Sequence, residues 1–270
     1  MTVDDDEAVP LRRVDVRRYV TPLREGGSMP AVVEADDLGL YVLKFRGAGQ
    51  GVRALMAEII CAGLARALGL PVPEMVLAEL DPELARTEPD PEIQDLIRAS
   101  AGLNVALDYL PGSVNFDPAA DAVTPDFASR LVWFDALVSN VDRTARNTNL
   151  LVWHGRPWLI DHGAALTFHH AWDGAVADPA KPFAPIADHV LLPRASALAQ
   201  VDAPLAARLT PAVLRAVLAA VPDSFLLQAA GQSAAALADP ALHRQAYVQY
   251  FQARLAERGR WLQGAIDARG

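Results

Sequence analysis

The sequence predicts an α+β fold in which a small antiparallel sheet with one helix comes first and a mainly helical region follows. Alternating and β-branched runs are confined to the first third of the 270 residues and to a short stretch near residue 150. Elsewhere Ala and Leu dominate, and 52% of the residues are hydrophobic, enough to bury one large core or two modest lobes. A Pro111-Gly112 break after the last early strand divides the chain into 1–110 and 111–270.

The elements follow in order. After a charged tail, residues 14–20 read as a first strand, and Arg24-Glu25-Gly26-Gly27-Ser28 makes a glycine turn into the apolar run 30–33. An acidic turn at Asp36-Asp37 leads to residues 40–45, which alternate as a strand carrying Lys44. Residues 52–68 show a helical apolar face, with Gly69 placed to end it. Between them, Gly47, Gly49 and Gly51 lack the Lys-Ser/Thr of a Walker loop and fit no dinucleotide fingerprint, so they read as a flexible connector. Pro71 and Pro73 enforce an extended segment into a strand at 75–80. Residues 81–92 read as a solvated loop, 93–99 as a short helix, and 104–110 as a strand.

In the second part, Thr124-Pro125 is an N-cap followed by proline at the first helical position, and Phe127, Leu131, Phe134 and Val138 mark one core-facing stripe. Residues 150–153 and 158–160 flank His154-Gly155 as a hairpin. Residues 171–196 read as irregular. Residues 211–221 and 240–268 read as helices, the second long, with Tyr247, Tyr250, Phe251, Leu255 and Leu262 inward.

Charge and cysteine content exclude some functions. A net charge of −9 argues against nucleic acid as the main partner, because phosphate-backbone binding requires a basic surface. A local cluster of cations, backbone N–H groups and metal still suffices for a nucleoside triphosphate. The single Cys61 has no intrachain disulfide partner and reads as a buried structural thiol. With Asp4, Asp5, Asp6 and Glu7 in place of a signal peptide, and no apolar run of membrane-spanning length, the expected location is the cytoplasm, without a membrane partner.

The chemistry concentrates in residues 140–163. Asp142 is followed five residues later by Asn147 on a loop leaving a buried helix, which sets a base beside a metal-ligating amide. Asp161 comes just after the hairpin, where it can return to the same point and bind magnesium through oxygen. Phosphoryl transfer needs these functions: metal held, triphosphate clamped, acceptor hydroxyl aligned. Asn149 competes with Asn147, which the five-residue spacing favours. Asp and Asn also cap ordinary turns, but an unpaired carboxylate at the end of an apolar strand would be costly. Arg143 and Arg146 flank the loop, each able to neutralise a transferring phosphate or to pair with Asp142 or Asp161. His162, His169 and His170 invite a zinc reading, but no Cys or Glu-x-x-His partner accompanies them.

The segment Asn140-Val141-Asp142-Arg143-Thr144-Ala145-Arg146-Asn147, with Leu159-Ile160-Asp161-His162-Gly163, resembles the catalytic loop and metal-binding aspartate of the HipA-like kinases. That resemblance implies a two-lobed, protein-kinase-like fold with ATP and Mg²⁺ as cofactors. It makes Asp142 the catalytic aspartate and Asn147 and Asp161 the metal ligands. Lys44 would contact the α- or β-phosphate, braced by Glu58 from the next helix. Gly26, Gly27 and Ser28 would cover the phosphates, and the backbone of Asp108, Tyr109 and Leu110 would form the hinge that meets adenine. The implied acceptor is a protein Ser/Thr hydroxyl, with a small-molecule hydroxyl or a non-catalytic, nucleotide-binding scaffold as alternatives. Thr144 stands where the family has histidine, and His162 stands where protein kinases have phenylalanine.

Overall fold

The computed structural model describes residues 10–23, 29–172, 178–230 and 238–270. Five strands form a closed barrel in the order β1-β2-β3-β5-β4: β1 (Arg13–Pro22), β2 (Ala31–Ala35), β3 (Leu40–Lys44), β4 (Met75–Leu80) and β5 (Gly102–Asp108). All pairs are antiparallel except β1 with β4, which closes the barrel through Arg13↔Leu77 to Asp15↔Glu79. Alternation sends Tyr41, Leu43 and Phe45 into the barrel core with Val14, Val33, Val76 and Ala106, and leaves Lys44 on the outer face.

Helix α1 (Val52–Ala67) crosses between β3 and β4. Gly51 begins it at φ 68°, and Gly69 ends it at φ 71°, a conformation that costs glycine nothing. The ending is a Schellman pattern: Gly69 N–H donates to Arg66 O at 2.8 Å and Leu70 N–H to Ala65 O at 2.9 Å. The helix is buried on nearly every face, against β5 on one side and the C-terminal helices on the other. One hydrophobic cluster therefore runs from Leu77, Val105 and Leu107 through Leu55 and Ile59 to Leu214, Leu218 and Phe225. The glycine connector is tied down at its start, because Gly47 N–H donates to Ser100 Oγ at 3.1 Å and a Cβ there would lie 2.8 Å from that oxygen.

Residues 81–92, expected as loop, hold a 3-10 turn at Pro82–Thr87 and the start of α2 (Pro91–Ala99). Asp81 and Asp90 each precede a proline and each accepts from the N–H two residues on, at 2.9 and 3.0 Å. The Asp-Pro pairs that suggested a loop are helix starts.

After β5, β6 (Val114–Asn115) joins β7 (Leu150–Trp153) and β8 (Arg156–Leu159), so the expected hairpin has a third strand too short to leave a pattern. His154 at φ 49° and Gly155 at φ 70° make its two-residue turn. Helix α3 (Pro125–Val138) starts as expected, with Thr124 Oγ1 accepting from Phe127 N–H at 3.1 Å. It is not a one-sided helix: residues 128 and 129 and 131–138 are all buried, while Phe127 is only half-buried.

The helical region continues with α4 (Leu198–Arg208), α5 (Pro211–Ala219), α6 (Asp223–Ala230), α7 (Pro240–Ala256) and α8 (Arg258–Arg269). Helix α4 was not expected, and it holds Pro204 in its interior. Helix α6 also went unforeseen, and the long terminal helix is broken at Glu257 into α7 and α8. Among the described residues, no single helix is long and apolar enough to cross a membrane.

Candidate active site

Lys44, at the end of β3, lies outside the barrel beside α1, and its Nζ is 2.5 Å from Glu58 Oε1 and 2.5 Å from Asp161 Oδ1. Glu58 is 1% exposed, Lys44 11% and Asp161 37%, so the cluster has a sealed side and an open side. Burial works against the Glu58 carboxylate, but Lys44 and the His162 ring outweigh it and hold its pKa well below the ordinary value. Burial likewise opposes the Lys44 ammonium, and the two carboxylates reverse the direction and raise its pKa. His162 follows Asp161 inward: its backbone N–H donates to Glu58 Oε1 at 3.0 Å and its ring stands edge-on to Phe134 at 5.9 Å. Asp161 has φ 53°, a left-handed conformation uncommon outside glycine and found where surrounding structure enforces it.

Asp142 sits in the loop after α3, which ends on Ser139 at φ 55°. Its Oδ2 accepts from Asn147 Nδ2 at 2.9 Å and from Asn149 Nδ2 at 3.1 Å. Its Oδ1 makes no hydrogen bond with the described residues. The two asparagines differ in surroundings. Asn149 is buried at φ 46°, and its amide also holds the Asp142 backbone carbonyl at 2.9 Å. Asn147 is exposed, and its Oδ1 has no partner among the described residues. Thr144 closes the turn that presents Asn147, donating its N–H to Asn147 O at 2.9 Å and accepting from Asn147 N–H at Oγ1, 3.3 Å.

Asn149 joins the two acidic positions. Its carbonyl accepts from Ile160 N–H at 3.1 Å, one residue before Asp161, while its amide grips Asp142. Arg143 reaches that carbonyl from the other side, through Nη1, and donates Nε to Asp135 Oδ2 at 2.5 Å. Asp135 also receives Asn140 Nδ2 on Oδ1 at 3.1 Å and faces His189 Nε2 from Oδ2 at 2.9 Å. Burial pushes the Asp135 pKa up, but Arg143 and His189 prevail and bring it down to about 2.

The structure thus brings together Lys44, Glu58 and Asp161, and gathers Asp142, Asn147 and Asn149 in a second group tied to the first through the Ile160 N–H and the Asn149 carbonyl. Gly26, Gly27 and Ser28 lie outside the described residues. Of the hinge positions, Asp108 N–H is bonded to Glu74 O at 2.8 Å and Tyr109 N–H to Leu40 O at 2.9 Å. Leu110 N–H makes no hydrogen bond with the described residues. Arg143 and Arg146 separate cleanly: Arg143 is buried in the Asp135 pair, whereas Arg146 is exposed and forms no ion pair among the described residues. His162 and His169 are buried in different surroundings, and the described residues contain no group of three or more His, Cys, Asp or Glu poised for a metal. Sequence reasoning missed Asp135 and His189. The first had a signal, a lone carboxylate within the apolar run Leu131–Val138; the second had none.

The family model described as HipA-like kinase matches residues 16–239. The chain belongs to the HipA-like kinase family. No curated protein matches it. Among solved structures, this HipA-like kinase is similar to the Helicobacter pylori proinflammatory kinase CtkA, with a TM-score of 0.52, 11% identity, and coverage of 96% of this chain and 98% of that one. The Golgi casein kinase with Mn/ADP bound matches with a TM-score of 0.46 and 12% identity, over 98% of this chain and 75% of that one. The HipA-like kinase is therefore a phosphotransferase, and its α+β architecture is one that a kinase shares.

Proposed function

We propose that this kinase is two-lobed, with the barrel and α1 as one lobe and the helical region as the other, and that it transfers the γ-phosphate of ATP to a protein Ser/Thr hydroxyl. The observation that carries this reading is the double contact of Lys44 with Glu58 and with Asp161, residues 14 and 117 positions away in the chain. A mostly buried lysine between two carboxylates, one of them partly exposed, is suited to meet a triphosphate and its metal.

The donors available fit magnesium. Among the described residues Asp161 Oδ2 and Asn147 Oδ1 have no partner, and magnesium is bound by one or two protein oxygens with phosphates and water completing its shell. When bound, the metal would neutralise the charge that develops on the transferring phosphoryl group. Lys44 would hold the α- or β-phosphate, steadied by Glu58. Gly26, Gly27 and Ser28 would cover the phosphates, and Leu110 N–H is the hinge donor available to adenine. Asp142 Oδ1 would take the proton of the acceptor hydroxyl as its oxygen bonds to the γ-phosphorus, the β–γ bridging P–O bond breaks, and ADP departs with that electron pair. The location consistent with this reading is the cytoplasm.

The test is transfer of labelled γ-phosphate to a panel of protein and small-molecule hydroxyls, with thermal shifts in ATP alone and in ATP plus magnesium. Expected are labelled protein, no label with Asp142→Ala, and magnesium-dependent stabilisation that Asp161→Asn abolishes. Label only on a small molecule would replace the acceptor class. Metal-independent nucleotide binding without transfer would favour a non-catalytic scaffold.

A further inference from the structure

Asp142 is bracketed by two residues pinned to one carboxylate. On its N-terminal side, Asn140 Oδ1 accepts the Asp142 N–H at 3.1 Å while Asn140 Nδ2 donates to Asp135 Oδ1. On its C-terminal side, Arg143 donates to Asp135 Oδ2 and to the Asn149 carbonyl. The orientation of the Asp135 carboxylate therefore sets the loop on both sides of the acid. Asp135 is fully buried, so a lost partner leaves a costly unmet acceptor.

What orients that carboxylate comes from 54 residues further along the chain. His189 is 4% exposed, its Nε2 faces Asp135 Oδ2 at 2.9 Å, and its Nδ1 accepts from Leu191 N–H at 3.0 Å. A ring nitrogen that accepts an N–H carries no proton, so the proton is on Nε2 and is donated to Asp135. Two backbone contacts hold the histidine against the loop: the Thr144↔His189 bridge and Val190 N–H donating to Arg143 O at 3.1 Å.

We propose that His189, as the neutral Nε2–H tautomer, is a positioning residue for phosphotransfer, acting through Asp135 on Asn140 and Arg143 and so on Asp142. It touches neither nucleotide nor acceptor. The inference rests on the phosphotransfer reading above.

The experiment compares wild type, His189→Ala and His189→Gln, the last retaining an N–H for Asp135, well below their melting temperatures. For His189→Ala, kcat should fall about 10- to 100-fold, as for other residues that orient a catalytic group. KM and directly titrated Kd for ATP should stay within about threefold, and His189→Gln should recover most of kcat, since glutamine supplies a neutral N–H donor to the same carboxylate. In the wild type, the imidazole ¹⁵N spectrum should show a neutral ring protonated at Nε2. A Nδ1–H tautomer, an unchanged kcat in His189→Ala, or parallel losses of kcat and nucleotide affinity that glutamine does not repair would overturn the role. If wild-type protein transfers no phosphate while the ring shows the expected signature, the phosphotransfer reading itself fails and the role of His189 falls with it. Transfer by wild type with kcat unaffected in the alanine variant removes the role alone.

Discussion

Two polar clusters are each built on a carboxylate whose burial opposes its charge, and they differ in what they leave unused. Around Glu58, the lysine it grips also reaches Asp161, which is 37% exposed and has one oxygen without a partner among the described residues. Around Asp135, both oxygens are bonded to the protein's own Asn140, Arg143 and His189, and the ion pair with Arg143 is 0% exposed on each side. The first arrangement retains bonding capacity for a ligand. The second applies all of its carboxylate's capacity to the shape of a loop. Exposure of one carboxylate thus separates the two clusters, although both are charged and both hold a buried carboxylate.

The largest expected effect tests the open cluster. Asp161→Asn should reduce phosphotransfer by on the order of 10³-fold, the usual scale for losing a group that stabilises transition-state charge. Its melting temperature should move by no more than about 4 °C, because Lys44 keeps Glu58. A large loss of stability with normal turnover would place Asp161 with the structural cluster instead.

Stability changes come next. Asp135→Ala leaves Arg143 buried without its partner, and Lys44→Met does the same to Glu58, so each should cost about 3–5 kcal/mol in urea unfolding. The double variant Lys44→Met with Glu58→Gln should regain much of that stability without regaining activity. A cost under about 1 kcal/mol for Asp135→Ala would contradict the sealed character assigned to its cluster.

The asparagines divide along the same line. Asn147→Ala should weaken magnesium-dependent nucleotide binding about 10- to 100-fold and leave unfolding unchanged. Asn149→Ala should lower stability by about 1–2 kcal/mol, because it leaves the half-buried Asp142 carbonyl without its donor. Reversed outcomes would make Asn149 the metal ligand.

The smallest effect is in the pH dependence. A carboxylate whose folded pKa is depressed stabilises the fold above its ordinary pKa, and that contribution disappears as pH falls through the folded value. Asp135 should therefore support a stability plateau above its ordinary value of 3.8 and lose its contribution as pH falls toward about 2. Asp135→Asn should flatten that acid limb; an unaltered limb in urea unfolding at graded pH would show that Asp135 does not carry it.

Much of this was legible in the chain. The strand holding Lys44, the helix holding Glu58 and the cap at Thr124 each have a local signal, because alternation, helical spacing and capping are decided within a few residues. The errors came where a local signal had two meanings or was absent. Asp81-Pro82 and Asp90-Pro91 suit both loops and helix starts, and β6 is two residues long.

By itself the sequence determined which side chains carry charge, which faces are apolar, and the spacing from Asp142 to Asn147. Only the tertiary structure decided that β1 closes on β4, that Lys44 meets Asp161, and that His189 stands against Asp135. The reason is physical: propensity and periodicity report on neighbours a turn or a hairpin away. A bond between residues 54 or 117 positions apart exists only after the chain has paid the entropy of bringing them together.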